Sequence, residues 1–145
     1  LYGAPRDVVH AAMEELAALG TVTERSPVIA SNPLGPAQRR FANAAALLDT
    51  ELDPASLLAA LQRMESQFGR KRWRRWGDRV LDLDIVLWSE GTVIAAMLTI
   101  PHPAFRERAF VLGPASAIAP LWRDPQTALT LRQSNARLTR KRPLP

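Results

Sequence analysis

A chain of 145 residues can build one compact domain around its own core and is too short for two ordinary ones. With 47% apolar and 23% charged residues it has a globular balance, no run nears 18 uninterrupted apolar residues, and Leu1-Tyr2-Gly3-Ala4-Pro5 lacks a secretory profile, so neither a membrane span nor a signal is read. The absence of cysteine excludes disulfides and thiolate metal sites and agrees with a cytoplasmic setting, while the net charge of +5 is local: Arg70 to Arg79 hold six bases and one acid, and the rest of the chain balances 13 bases against 13 acids.

In chain order, Pro5 to Leu19 predicts a helix. Pro5 suits its first turn, Val9, Ala12, Met13, Leu16 and Leu19 share a face, and Gly20 offers a left-handed stop. Thr21 to Ser31 reads as an edge or bulged strand interrupted by Pro27. After the loop Asn32 to Pro36, Arg40 to Thr50 reads as a second strand with Phe41, Asn43, Ala45 and Leu47 on one face. Asp53-Pro54 caps and starts a helix whose apolar stripe is Leu57, Leu58, Leu61, Met64 and Phe68, ended by Gly69.

Beyond the cationic segment, Val80 to Trp88 is the clearest strand pattern, with Leu81, Leu83, Ile85 and Leu87 on one face and Asp82, Asp84 and Val86 on the other. A turn at Ser89-Glu90-Gly91 predicts a hairpin to a short strand at 92–95. Helices are expected over 111–119, before Pro120, and over 127–138, followed by a basic tail at Arg140-Lys141-Arg142. The class is α+β, with helices covering an antiparallel or mixed sheet.

Asp82 and Asp84 stand two apart on an extended segment. Their side chains therefore share a side, with Cα atoms roughly 6.5–7 Å apart. Such carboxylates repel unless a cation lies between or over them, and hard oxygen donors suit Mg²⁺, which shares its shell with water and substrate phosphates. A solvated strand face is the competing reading. In the cationic segment five arginines against one lysine favour forked recognition of phosphate, and Trp73 and Trp76 add stacking surfaces. Composition alone suits RNA and a nucleotide triphosphate equally.

Gln62 and Glu65 lie on one side of their helix, Phe41 and Asn43 join a ring to an amide on one strand face, and His102 sits between Pro101 and Pro103. Each has a purely structural reading as well. No G-x-x-x-x-G-K-[ST] run and no kinase H-R-D or D-F-G set occurs, so a nucleotide here would be held by cationic side chains and metal, without a glycine-rich nest.

Four ordered motifs resemble the 6-hydroxymethyl-7,8-dihydropterin pyrophosphokinase family over about Leu1 to Pro120. Phe41-Ala42-Asn43-Ala44 is similar to its [FY]-x-N-A strand, and Leu61-Gln62-Arg63-Met64-Glu65 with Gly69-Arg70 to its L-Q-x-[IL]-E…G-R helix end. Arg75-Trp76-Gly77-Asp78-Arg79-Val80-Leu81-Asp82-Leu83-Asp84-Ile85 resembles R-W-G-P-R-x-[IL]-D-[IL]-D-[IL], and Leu98-Thr99-Ile100-Pro101-His102-Pro103 with Arg106, Arg108 and Phe110 resembles L-x-[IV]-P-H-P…R-x-F.

The resemblance implies a ferredoxin-like α+β sandwich in a single domain. It also implies transfer of the ATP β,γ-pyrophosphoryl group to the pterin hydroxymethyl, with release of AMP. Asp82 and Asp84 would hold two Mg²⁺ ions. Phe41 and Phe110 would sandwich the pterin, with Asn43 reading its edge and Ser31 to Leu34 supplying backbone contacts. Gln62, Glu65, Thr99, His102 and Arg108 would line the ATP side. Arg70, Arg72, Arg79 and Trp76 would form a lid, with Trp76 touching both substrates and Arg70 and Arg79 taking part in the transfer.

Asp78 departs from the family's W-G-P-R proline, Asn32 from its usual proline, and Arg39-Arg40 from Q-P-x. The chain opens at what resembles the end of the family's first strand and turn, so the first strand is expected to be absent, with residues 121–145 as a C-terminal extension. A monomer acting on ATP and the pterin, with no nucleic-acid or membrane partner, is the leading expectation. An RNA-binding module built on the Arg/Trp segment and an inactive truncated remnant are the rivals.

Overall fold

The computed structural model describes residues 4–31, 41–70 and 81–140. Helix α1 spans Pro5–Glu15 and tightens into a 3-10 turn at Leu16–Ala18. Pro5 sits in the first turn, where an absent N–H costs no bond, and Val8, Ala12, Met13 and Leu16 turn inward. Gly20, expected as a left-handed stop, does not take positive φ; among the described glycines Gly91 does, at 96°. What Gly20 supplies is close approach, since a Cβ there would lie 2.2 Å from the Asp49 carbonyl oxygen.

Strand β1 (Thr21–Arg25) pairs antiparallel with β4 (Ala46–Asp49), with a bulge between Val22 and Glu24. Strand β2 (Ile29–Ser31) pairs antiparallel with β3 (Phe41–Asn43). The expected continuous strand over 40–50 therefore breaks at Ala44-Ala45. Its partner breaks opposite, at Ser26-Pro27, where proline has no N–H to give. Ser26 fills the gap: its N–H donates to the Ala45 carbonyl and its hydroxyl accepts from the Ala45 N–H, both at 2.9 Å. Two short ladders thus follow one path with a shared interruption.

Helix α2 (Pro54–Arg70) starts as its sequence predicts. The Asp53 carboxylate accepts the Ser56 N–H at 2.7 Å, and that bond holds its pKa below the usual value. Leu57, Ala60, Leu61, Met64 and Phe68 are buried along its inner face.

The segment 81–88 departs from expectation. It belongs to none of the three described ladders, and the hairpin foreseen between it and 92–95 is instead β5 (Val93–Ala95) with β6 (Leu98–Ile100). Leu81, Leu83 and Ile85 do pack as the alternation predicts, against α1 and α2, but Val86 and Leu87 both join the opposite core. Alternating hydrophobicity reports burial; it does not say whether the main chain finds a ladder partner.

Helix α3 covers Ala109–Ile118, two residues earlier at its start than the apolar run suggests. Helix α4 (Leu131–Thr139) begins four residues later than expected, because Thr130 and Gln133 form a reciprocal capping box that fixes its first turn. Thr127 belongs to the preceding turn, where Ala128 takes φ 64°.

Two cores result. Val8, Met13, Leu61, Met64, Phe68 and Leu81 form one, under α1 and α2; Phe105, Leu112, Ala115 and Leu131 form the other, under α3 and α4. Ala44 packs toward the first and Ala45 toward the second, so helices cover both faces of the extended segments between them. This is the expected α+β sandwich, antiparallel in every described ladder. Among the described residues no helix is long and apolar enough to cross a membrane.

Candidate active site

The aspartate segment and the histidine loop meet. The His102 N–H donates to the Val86 carbonyl at 3.0 Å, and His102 Nε2 stands 3.8 Å from Asp84 Oδ2. His102 Nδ1 accepts the Ala104 N–H at 3.2 Å, which puts the ring hydrogen on Nε2, the nitrogen facing the carboxylate. Those two backbone contacts fix the imidazole within Pro101-His102-Pro103, where the Ile100–Pro101 peptide is cis.

Asp82 and Asp84 are both exposed. The main chain between them is fixed from α2: the Glu65 carboxylate accepts the Leu83 N–H at 2.6 Å. Glu65 was expected on the ATP side; its observed bond makes it a brace for the D-L-D segment. Gln62, one turn earlier, is exposed.

Strand β3 touches both α1 and α3, which brings the F-A-N motif near the start of α3. Phe41 and Phe110 remain 50% and 53% exposed. Large rings left half in water on adjoining elements are the notable feature, since burying the remaining half of either would gain about 1 kcal/mol. The β2–β3 register sets Ser31 opposite Phe41 and Ile29 opposite Asn43, and the Asn43 side chain is half-buried. The Arg108 guanidinium lies 5.8 Å from the Phe110 ring centroid. Thr99 is exposed on β6, opposite Ile94.

Leu34, Arg72, Trp76 and Arg79 lie outside the described residues, as do the side chains of Ser31 and Arg70. Of the remaining expected site residues, Asp84 and His102 are brought together, and Phe41 and Asn43 share one strand whose neighbour α3 carries Phe110.

The donor set at Asp82 and Asp84 fits a hard divalent cation. Among the described residues no group of three or more histidine or acidic side chains is arranged to enclose a metal ion. A cation held by two carboxylates completes its shell with water and phosphate oxygens, the habit of Mg²⁺.

One pair escaped the sequence. Arg106 donates from Nε and Nη2 to the two oxygens of Asp124, at 2.5 and 2.9 Å, and Asp124 has 0% exposure. Burial alone would raise the pKa of Asp124, yet the Arg106 fork, the Gln126 N–H and the Thr127 hydroxyl together hold it below the ordinary 3.8. The same bond raises the Arg106 pKa. The available signal was Asp124-Pro125 before the T-x-x-Q of the capping box, a turn signature, but no spacing rule links it to Arg106.

A layered α+β frame that sets one acid of the D-L-D pair 3.8 Å from an imidazole and carries an arginine beside one of two half-exposed rings suits an enzyme that transfers a phosphate group to a flat second substrate. Comparison with known sequences makes the class specific. The chain belongs to the family described as 7,8-dihydro-6-hydroxymethylpterin-pyrophosphokinase (HPPK), which it matches over residues 2–120.

Among curated relatives, it is 45% identical over 124 residues to the 2-amino-4-hydroxy-6-hydroxymethyldihydropteridine pyrophosphokinase of Pseudomonas aeruginosa, covering 83% of this chain and 76% of that protein. Relatives of the same name from Synechocystis and Haemophilus influenzae are 40% and 42% identical. Those matches cover 88% and 79% of this chain, and 66% and 74% of the relatives' own length.

Proposed function

We propose that this chain catalyses the reaction named for its relatives: ATP-dependent pyrophosphoryl transfer to 6-hydroxymethyl-7,8-dihydropterin, a step of folate biosynthesis. The acceptor hydroxymethyl oxygen bonds to the β-phosphorus, the bond from that phosphorus to the α–β bridging oxygen breaks, AMP leaves with that oxygen, and the hydroxyl proton passes to solvent. Residues 1–145 act as one domain, with 121–145 as an extension of the family core. A monomer in the cytoplasm, with ATP and the pterin as its partners, completes the reading.

The observation that carries it is the approach of Asp84 to His102, because it joins the two most specific motifs across the fold. Asp82 and Asp84 would hold Mg²⁺, two ions in the full site, and bound magnesium supplies positive charge that offsets the triphosphate. The protein's own share is placement. Phe41 and Phe110 clamp the flat ring, and Asn43 pairs with its edge. His102 Nε2–H and Arg108 donate to phosphate oxygens. Arg70, Arg72, Arg79 and Trp76 close over both ligands, and Gln62, Thr99 and the backbone of Ser31 to Leu34 complete the walls. Phosphoryl transfer gains most from alignment and fixed charge, so a site without a strong general base suits it.

The test is product identity. Purified protein with ATP, Mg²⁺ and the hydroxymethyldihydropterin is expected to release AMP in step with pterin consumption. Release of ADP, or turnover only with another acceptor, would refute the assignment. RNA binding that survives Asp82→Ala would favour a nucleic-acid module.

A further inference from the structure

We propose that Asp124 is a positioning residue for the transfer site, acting through Arg106 on the span from His102 to Arg108. The proposal rests on the reading above, in which both ends of that span meet phosphate.

The span is short, and its middle is held less closely by the main chain than its ends are. Its ends are held from outside, by His102 N–H to the Val86 carbonyl at 3.0 Å and by the Arg108 carbonyl, which accepts the Val111 and Leu112 N–H at 3.0 and 2.9 Å. Between them the main-chain bonds are those of a single 3-10 turn at Phe105–Glu107: Phe105 N–H to the His102 carbonyl at 3.3 Å, Glu107 N–H to Ala104 at 3.2 Å, and Arg108 N–H to Phe105 at 3.3 Å. The bonds of the turn are longer than the usual 2.9–3.0 Å, and 3-10 geometry is poorer than α. Two side chains anchor the turn from within. Phe105 is fully buried in the second core, and Arg106, its guanidinium 4.7 Å from that ring centroid, forks onto Asp124.

Asp124 is itself held on several sides. Its N–H donates to the Leu129 carbonyl and its carbonyl accepts the Ala128 N–H, both at 2.8 Å. Its Oδ1 also accepts the Gln126 N–H at 2.9 Å. The turn is tied to the rest of the fold by Leu131 N–H to Trp122 and Arg132 N–H to Pro120. A two-pronged bond between planar groups fixes direction as well as distance, which a greasy contact of equal area does not. A buried ion pair is also a poor source of stability, because apolar residues of similar volume often replace it without loss. What the pair adds is a fixed orientation for the turn that carries His102 at one end and Arg108 at the other. Asp124 lies beyond residue 120, where the family match ends, so the C-terminal segment contributes to the site.

The deciding variant is the double replacement Arg106→Met with Asp124→Asn, which removes the fork, nearly keeps the volume and leaves an oxygen for the Gln126 N–H. It is expected to stay folded and to lose about 10- to 100-fold in kcat/KM for AMP formation, carried mainly by kcat, as misplacement by about 1 Å can cost. Amide hydrogen exchange should quicken over 102–108 while α2 keeps its protection. Leu57→Ala, a truncation in the first core at the start of α2, serves as the control that destabilises without touching the fork or the core beneath it, and it should keep kcat. Should the double variant not fold, Arg106→Lys, which retains charge but loses the fork, is expected to show the same kcat loss. A folded double variant, or otherwise the lysine variant, with parental kcat/KM would overturn the proposal, as would an equal kcat loss in Leu57→Ala. Absence of AMP formation by the parent would instead refute the assigned reaction, and the brace would then stand or fall on whether exchange changes only over 102–108.

Discussion

Alanine at Asp82 or at Asp84 is expected to reduce AMP formation by about 10²- to 10³-fold, the scale on which losing one preorganised electrostatic group acts in transfer reactions. Stability should barely change. Both side chains are exposed, and the ion pair that Asp84 can form with His102, at 3.8 Å, is of the surface kind that contributes about 0–1 kcal/mol. Neighbouring carboxylates also repel, so losing one removes an unfavourable term. Thermal unfolding beside steady-state kinetics checks this. A deep fall in Tm with intact turnover would show that the two acids serve the fold.

Phe41→Ala and Phe110→Ala are expected to act on the other substrate. Each ring is half exposed, so its removal costs the core little, whereas stacking on a flat heterocycle is worth about 1–3 kcal/mol per ring. Pterin affinity should fall roughly 5- to 150-fold in each variant, with ATP binding little altered. Titration calorimetry with each ligand separates the two effects. A variant that binds pterin as the parent does, yet unfolds several degrees earlier, would place that ring in the fold's support.

Much of this frame was legible in the sequence, and the exceptions share a cause. The helices over α1 and α2 followed from proline and aspartate at their starts and from apolar residues at helical spacing, because those signals act within one element. The segment 81–88 showed the inward face of Leu81, Leu83 and Ile85, but not the switch of Leu87 to the second core or the separate hairpin at β5 and β6. Ladder partners depend on what lies alongside in space. Gly20 was singled out for the wrong property: the reading looked for a left-handed turn, and the constraint is the Asp49 carbonyl across the ladder.

The site divides along the same line. Asp82, Asp84, Phe41, Asn43 and His102 were singled out by type and spacing, and Arg108 and Phe110 through the family resemblance, since ligand chemistry limits which residues can serve. Glu65 was found as a ligand candidate, but the bond its carboxylate accepts from the Leu83 N–H, which fixes the main chain between the acids, was not foreseen. Asp124 was not found, because a supporting residue has no ligand to constrain it and is recognised only through its partner. Residues proposed to touch substrate are the readable ones; those proposed to aim them need coordinates.

The central claim is that Asp82 and Asp84 hold magnesium and triphosphate beside a ring clamped by Phe41 and Phe110. A crystal structure of the protein with magnesium, a non-hydrolysable ATP analogue and the pterin tests it most directly. The account predicts metal density on both carboxylates, phosphate oxygens within reach of His102 and Arg108, and the pterin between the two phenyl rings. Nucleotide bound elsewhere, with both acids still bonded only to protein groups, would contradict it.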